Sequence, residues 1–314
     1  MSGLHHVTAI AGHAARNLAF YTDTLGLRLV KKTVNFDDPG TYHLYFGDEA
    51  GSPGTILTFF PWEHAAPGRN GVGATEQTAF RIPAGSLGWW TQRFIERGVA
   101  HEAPAKRFGE TVLPFTDPDG MSLALVALPG VESEPGWSGD GVPAEHAIRG
   151  FHGVTLMLRD GAQTGAILEG VFGFENAGQE GSVMRYRAPG AGVGAVVDLH
   201  SVGQFLPARS GRGSVHHIAF RATDDAEEFA MARKATEAFG LHVTEQRDRN
   251  YFRSIYFREP GGVLFEIATD VPGFAVDEPA DALGQTLKLP PQYEAHRAEI
   301  EKVLPSLDPA PKAA

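Results

Sequence analysis

Cysteine is absent from all 314 residues. Disulfides, zinc ribbons, iron–sulfur clusters and thiol catalysis are thereby excluded. Basic residues are in deficit: 27 Lys and Arg against 38 Asp and Glu leave a formal charge of −11. With no basic run to offset it, nucleic acid and anionic membrane surfaces are poor partners for such a chain. No apolar stretch approaches the roughly 20 residues of a membrane span. The opening Met1-Ser2-Gly3-Leu4-His5-His6-Val7 lacks the basic region and apolar core of a signal peptide. These absences lead us to expect a soluble, cytoplasmic protein. What the chain does have is 38 glycines and 21 prolines, which imply many turns between short strands. Its length suits two domains, each with its own core.

One plan recurs four times along the sequence. The first copy opens on the alternating run Gly3 to Ile10, continues as a helical stretch closing at Phe20 to Leu27 with Gly26 as C-cap, and adds strands at Tyr42 to Phe46 and Gly54 to Phe60. The second opens at Thr75 to Arg81, carries a helix from Leu87 to Arg97 that stops at Gly98, and closes on Asp117 to Val126. The third opens at Gly150 to Leu156, ends its helix at Phe172-Gly173-Phe174 and closes on Gly194 to Leu199. The fourth opens at Val215 to Arg221, runs its helix to Phe239-Gly240-Leu241 and closes on Glu259 to Ala268.

Each copy reads as strand, helix and about three strands. One such unit cannot cover its own sheet, so units must pair and curl together. The expected fold is α+β: four βαβββ modules forming two curled, half-closed barrels. The modules are placed at 1–65, 72–128, 147–203 and 212–270. A Gly/Pro/Ser/Glu-rich linker fills 129–146, and a tail fills 271–314. Within the tail, a short helix is expected from Tyr293 to Val303, with fraying from Asp308 onward.

Internal comparison of the copies points to chemistry. In the opening strands Gly153 falls opposite His6, and Gln77 falls opposite His217. In the closing strands Glu266 falls opposite Ala124, Asp198 and Thr58. Strong metal ligands therefore stand at His6, His217 and Glu266, with Asp198 as a further candidate. A carboxylate in the apolar run Val263-Leu264-Phe265-Glu266-Ile267 is costly to bury unless paired or metal-bound, although alternation alone also allows Glu266 to face solvent. If the first and fourth copies share a barrel, its centre holds His6, His217 and Glu266, with Thr58 in the fourth slot. If the third and fourth pair, the centre holds His217, Glu266 and Asp198, and His6 goes unexplained. The first pairing uses the His-His doublet twice. It also yields two histidines and one carboxylate, the facial triad of non-haem iron(II) oxygenases. The remaining histidines, His13, His43, His64, His101, His146, His200, His242 and His296, show no partner pattern and read as solvated or structural. The glycine-rich run at 190–194 lacks the lysine and context of a phosphate loop.

On these residues the chain resembles the vicinal-oxygen-chelate superfamily of glyoxalases, bleomycin resistance proteins and extradiol dioxygenases. More narrowly it resembles the dioxygenases that open para-hydroquinones. The features that carry the likeness are Gly3-Leu4-His5-His6-Val7-Thr8, Val215-His216-His217-Ile218-Ala219-Phe220, Arg249 to Gly262, and Leu283-Gly284 with Leu287 to Glu294. The resemblance implies Fe(II), with Mn(II) as the alternative, held by His6, His217 and Glu266. It implies supporting roles for His5, Thr8, His216 and Arg249, and an acid–base or substrate-orienting role for Tyr256. For His5 and His216, which alternation turns away from the ligand face, structural hydrogen bonding is the competing role.

The implied reaction is ring cleavage of a hydroquinone by O₂, with a homo-oligomer left open. Three rivals differ in their residues. In catechol extradiol enzymes all three ligands come from the second half of the chain, where Gly153 now stands. Glyoxalase-type isomerases use zinc or nickel with a fourth ligand, where Thr58 stands. A metal-free protein that sequesters an aromatic ligand would have no use for the triad.

Overall fold

The computed structural model describes residues 3–139 and 141–308. The end of the chain at 309–314, where fraying is expected, lies outside them. In the first repeat, β1 (Leu4–Ala11) leads into α1 (Ala14–Ala19), β2 (Arg28–Asn35), β3 (Asp38–Gly47) and β4 (Ile56–Pro61). The second runs β5 (Ala74–Pro83), α2 (Leu87–Arg97), β6 (Ala105–Arg107), β7 (Glu110–Thr116) and β8 (Ser122–Leu128). The third runs β9 (Phe151–Leu158), α3 (Ala162–Gly170), β10 (Glu175–Glu180), β11 (Val183–Arg187) and β12 (Val196–Ser201). The fourth runs β13 (Ser214–Ala222), α4 (Asp225–Phe239), β14 (Arg247–Asp248), β15 (Arg253–Arg258) and β16 (Leu264–Thr269).

These strands form two eight-stranded sheets, each a curled half-barrel. One has the order β14-β15-β16-β13-β1-β4-β3-β2, the other β10-β11-β12-β9-β5-β8-β7-β6. The outer repeats thus share one sheet and the inner repeats the other. Each seam is antiparallel, β1 against β13 and β5 against β9, while opening and closing strands within a repeat lie parallel.

Period-two alternation sorts the side chains of each seam strand. In β1 and β13, Val7, Ala9, Ile218, Phe220 and Ala222 enter the main apolar core. His6, Thr8 and His217 border the cavity on the other side. Helix α4 packs on β13, β15 and β16, and Phe172, just beyond α3, stacks on Phe220 at 3.9 Å between ring centroids. Local signals define α4 closely. Asp224 caps its N-terminus by accepting from the Glu227 amide, and the Glu227 carboxylate accepts from the Thr223 amide just before the cap. Gly240 ends it at φ 65°, in the left-handed region where glycine carries no Cβ penalty.

Two expected helices come out differently. The first repeat's helix is regular only to Ala19, then widens into a π-helical turn at Phe20–Thr24 in which the Leu25 amide bonds the Phe20 carbonyl. The widening buries Tyr21, whose hydroxyl donates to Asp117 at 3.0 Å. In the tail, Pro291–His296 is a 3₁₀ turn and α5 begins only at Arg297, ending at Val303. The tight turn is closed by the Tyr293 amide bonding the Pro290 carbonyl, and Pro291 itself has no amide hydrogen to give.

The tail closes one end of the first half-barrel. Phe274 and Leu283 pack there with Tyr45, Tyr251 and Phe252. Lys31, fully buried on β2, meets Asp277 at 2.5 Å and Glu278 at 2.6 Å and lies over the Tyr251 ring. Removing one partner of a buried pair strands the other in a medium of low dielectric. Lys31→Met should therefore destabilise the protein by about 3–5 kcal/mol, read as a lower urea midpoint.

Candidate metal centre and its cavity

The antiparallel seam puts Thr8 opposite His217 and His6 opposite Ala219, so the two histidines sit diagonally across it on the concave face. Strand β16 runs parallel to β13 and brings Glu266 beside Ala219. The ligand-capable atoms converge. His6 Nε2 and His217 Nε2 are 3.4 Å apart, and Glu266 Oε2 lies 3.3 Å from the first and 2.8 Å from the second. All three residues are buried, Glu266 completely, so it does not face solvent.

A first-row divalent ion binds N and O donors at about 2.0–2.2 Å, which places donors at right angles about 3 Å apart. The observed triangle has that size. Glu266 Oε2 is also a buried oxygen with no hydrogen-bond donor, a costly state that a cation would relieve. The donor set thus fits a metal.

A second layer orients the donors. His5 Nδ1 meets His6 Nδ1 at 2.9 Å, and His216 Nδ1 meets His217 Nδ1 at 2.8 Å, with ring planes at 81° in both pairs. A metal ligand at His6 Nε2 requires His5 Nδ1 to be the acceptor in its contact with His6. His6 then donates from Nδ1 and presents the Nε2 lone pair to the centre. Burial lowers the pKa of His5 far below its ordinary value and that of His216 to about 4, so both stay neutral. Ser254 donates to Glu266 Oε1 and leaves Oε2 for the centre.

Above the triangle lies a cavity of about 480 Å³. Its walls include Thr8, Phe60, Trp62, Arg249, Phe252 and Tyr256. Tyr256 pairs with Glu266 across β15 and β16, and its ring meets that of His217 edge-on at 5.8 Å. Arg249 Nε donates to the Tyr256 hydroxyl at 3.3 Å. Burial, and then the Glu266 charge, raises the Tyr256 pKa, so this phenol keeps its proton.

Apart from Asp198, the residues singled out from the sequence gather at one place: His6, Thr8, His216, His217, Arg249 and Tyr256 on the cavity wall, with His5 behind His6 and Glu266 buried beside the two ligand histidines. His216 borders the cavity as well as bonding His217. The residues missed there are His43, Tyr45, Ser254 and Phe252. Ser254 and Tyr256 are two apart on one strand, and the same spacing separates His43 from Tyr45. Carrying the internal comparison on to these strands would have found His43, Tyr45 and Ser254, whereas Phe252 lies just before β15.

Asp198 belongs to the other half-barrel. There Arg185 faces it across β11 and β12, as Tyr256 faces Glu266. The guanidinium holds both Asp198 oxygens at 2.8 Å and Glu110 at 2.6 Å, and Glu110 also meets His152 at 3.1 Å. A fixed cation therefore satisfies the carboxylates in this half. At the position equivalent to His6, a Cβ on Gly153 would lie 2.0 Å from the Val196 carbonyl oxygen, so no side chain fits. The neighbouring cavity is larger, about 630 Å³, but its wall carries Gln77 and the neutralised Asp198 in place of the triad.

With this geometry established, comparison with known proteins defines the class. The chain belongs to the Glyoxalase/Bleomycin resistance protein/Dioxygenase superfamily, whose model matches residues 3–125 and 150–267. Among its relatives, MhqO of Bacillus subtilis (strain 168), provisionally named a ring-cleaving dioxygenase, is 47% identical over 304 residues, covering 96% of this chain and 95% of that one. The chlorohydroquinone/hydroquinone 1,2-dioxygenase of Sphingobium indicum is 34% identical over 309 residues, covering 97% and 96%. A crystal structure from Bacillus subtilis subsp. subtilis str. 168, provisionally named a dioxygenase, superposes with a TM-score of 0.93 at 46% identity, covering 98% of this chain and 97% of that one. Among the described residues, no helix is long and apolar enough to cross a membrane.

The Arg185 cluster makes a pH prediction. Burial pushes the Glu110 carboxyl up, but His152 and Arg185 outweigh it and bring its pKa from 4.5 down to about 2. A folded-state pKa below the unfolded value adds stability above about pH 4.5 that is lost as pH falls toward 2. Glu110→Gln should therefore lower Tm at neutral pH and flatten the fall of Tm across that acid window, as followed by circular dichroism.

Proposed function

We propose that this protein is an Fe(II)-dependent dioxygenase, with Mn(II) as the alternative ion, that cleaves hydroquinone-type rings and retains both atoms of O₂ in an acyclic unsaturated product. The observation that carries the reading is the buried triangle of His6, His217 and Glu266 with its orphaned oxygen at the base of an aromatic-walled cavity. The activity named for the Sphingobium relative supports the choice of substrate.

Two histidines and one carboxylate leave positions for further ligands on the ion. The chemistry that iron(II) supplies in such a site is electron transfer between an electron-rich ring and O₂. The protein does the rest. His5 and His216 hold the ligand imidazoles in one tautomer, and Ser254 restricts Glu266 to one free oxygen. Tyr256, a protonated phenol beside the site, exchanges a hydrogen bond or a proton with an oxygen of the bound ring. Arg249, bonded to that phenol, favours negative charge on the same oxygen. Phe60, Trp62 and Phe252 form apolar wall that excludes water.

Catechol cleavage uses the same kind of triad, and the test separates the two. After anaerobic loading with iron, O₂ uptake with hydroquinone should exceed that with catechol; preference for catechol would overturn the substrate assignment. His6→Ala, His217→Ala and Glu266→Ala should each lose the metal, whereas Asp198→Ala should keep it. Wild-type metal content in all three ligand variants would remove the triad. Tyr256→Phe should keep its iron and lose kcat by roughly 10²–10⁴-fold.

A further inference from the structure

We infer that His43 is a positioning residue. Clamped between Tyr45 and Thr58, it makes the Thr8 hydroxyl a hydrogen-bond donor into the cavity, toward an anionic oxygen of the bound ring. The inference rests on the reading of this cavity as the dioxygenase site.

The two halves of the sheet repeat one arrangement. In the last repeat Tyr256 lies opposite Glu266, and Ser254, two residues earlier, bonds that carboxylate. In the first repeat Tyr45 lies opposite Thr58, and His43, two residues earlier, bonds that hydroxyl at 2.8 Å. A histidine and a threonine have replaced the serine and the carboxylate. The contact therefore does not end on a ligand atom. Instead it passes to Thr8, opposite Thr58 on β1, whose oxygen is 2.9 Å from the Thr58 oxygen.

The polarity of the chain follows from its far end. The Tyr45 hydroxyl meets His43 Nδ1 at 2.8 Å. Among the described residues the buried Tyr45 hydroxyl has His43 Nδ1 as its hydrogen-bond partner, so it donates there and its hydrogen is satisfied. A neutral imidazole has one donor and one acceptor. With Nδ1 accepting, Nε2–H must donate to Thr58, Thr58 then donates to Thr8, and the hydrogen of Thr8 is left for the cavity. The ring of His43 is held in its plane by packing on Tyr45 at 4.0 Å and on Phe60 at 4.3 Å between centroids. His43, Tyr45 and Thr8 all border the cavity. A ring bound there would have Tyr256 with Arg249 on one side and this second donor on the other.

Two measurements test the chain. Nitrogen-15 NMR of the full-length, metal-free protein should show His43 as the Nε2–H tautomer, and Tyr45→Phe should erode that preference. The opposite tautomer in the wild type would reverse the chain and overturn the proposal. In iron-loaded protein, Thr58→Val and His43→Phe should each lower kcat about ten- to a hundredfold, with KM and iron content little changed. Both cut the same chain, so the double variant should be no worse than the poorer single one. Thr58→Ser, which keeps the hydroxyl, should recover most of the loss. Additive losses, or wild-type kcat in Thr58→Val, would make His43 merely structural. If the wild type consumed no O₂ with any hydroquinone, the functional reading would fall. The chain would then be judged by the tautomer: the Nε2–H form eroded by Tyr45→Phe would support it, and the opposite form would refute it.

Discussion

The antiparallel pairing of β1 with β13 is the constraint on which the rest of the structure depends. It joins the first and last repeats into one sheet and sets their register, with Thr8 opposite His217. A slip of one residue would turn His6 into the apolar core and Val7 into the cavity. The register is protected by what it buries. Val7 and Ile218 face each other across the seam and Phe220 stacks on Phe172, all in the main core. The apolar residues on one face of the seam thereby hold the histidines in place on the other.

The price of the site is a set of polar groups in a dry interior. Each is met by a specific partner: Ser254 for one oxygen of Glu266, His5 for His6, His216 for His217, Thr58 for Thr8. The exception is Glu266 Oε2, and the uncompensated atom lies where the two histidine nitrogens converge. A site whose own polar groups are paired except at that one atom is what an ion-binding centre requires.

The second half-barrel shows the same frame put to structural use. Its closing-strand carboxylate is held by Arg185 in place of an ion, and Gly153 lets β12 approach too closely for any ligand side chain. One fold thus carries a potential reaction centre in one sheet and a permanent ion pair in the other. The difference lies in a few positions that the fourfold repeat brings into register.

The sequence by itself determined the repeat, the strand–helix–strand plan and the faces of the strands, because period-two alternation and glycine stops are local features. Helix α2 runs from Leu87 to Arg97 and α4 ends at Phe239, as those signals indicate. It also singled out His6, His217 and Glu266, because comparing copies exposes the positions where one has kept a polar group and another has not. Tertiary structure decided what depends on distant strands. The seam chose the outer repeats as partners, which united His6 with Glu266 and separated both from Asp198. Packing turned His43 toward Thr58, so a histidine without any pattern in sequence became part of a hydrogen-bond chain. The π-helical turn at Phe20 and the buried Lys31 were equally unreadable, since Asp117 and Glu278, the groups that explain them, lie far away along the chain. Alternation tells a residue which face it takes, and only the closed sheet tells it what it will meet there.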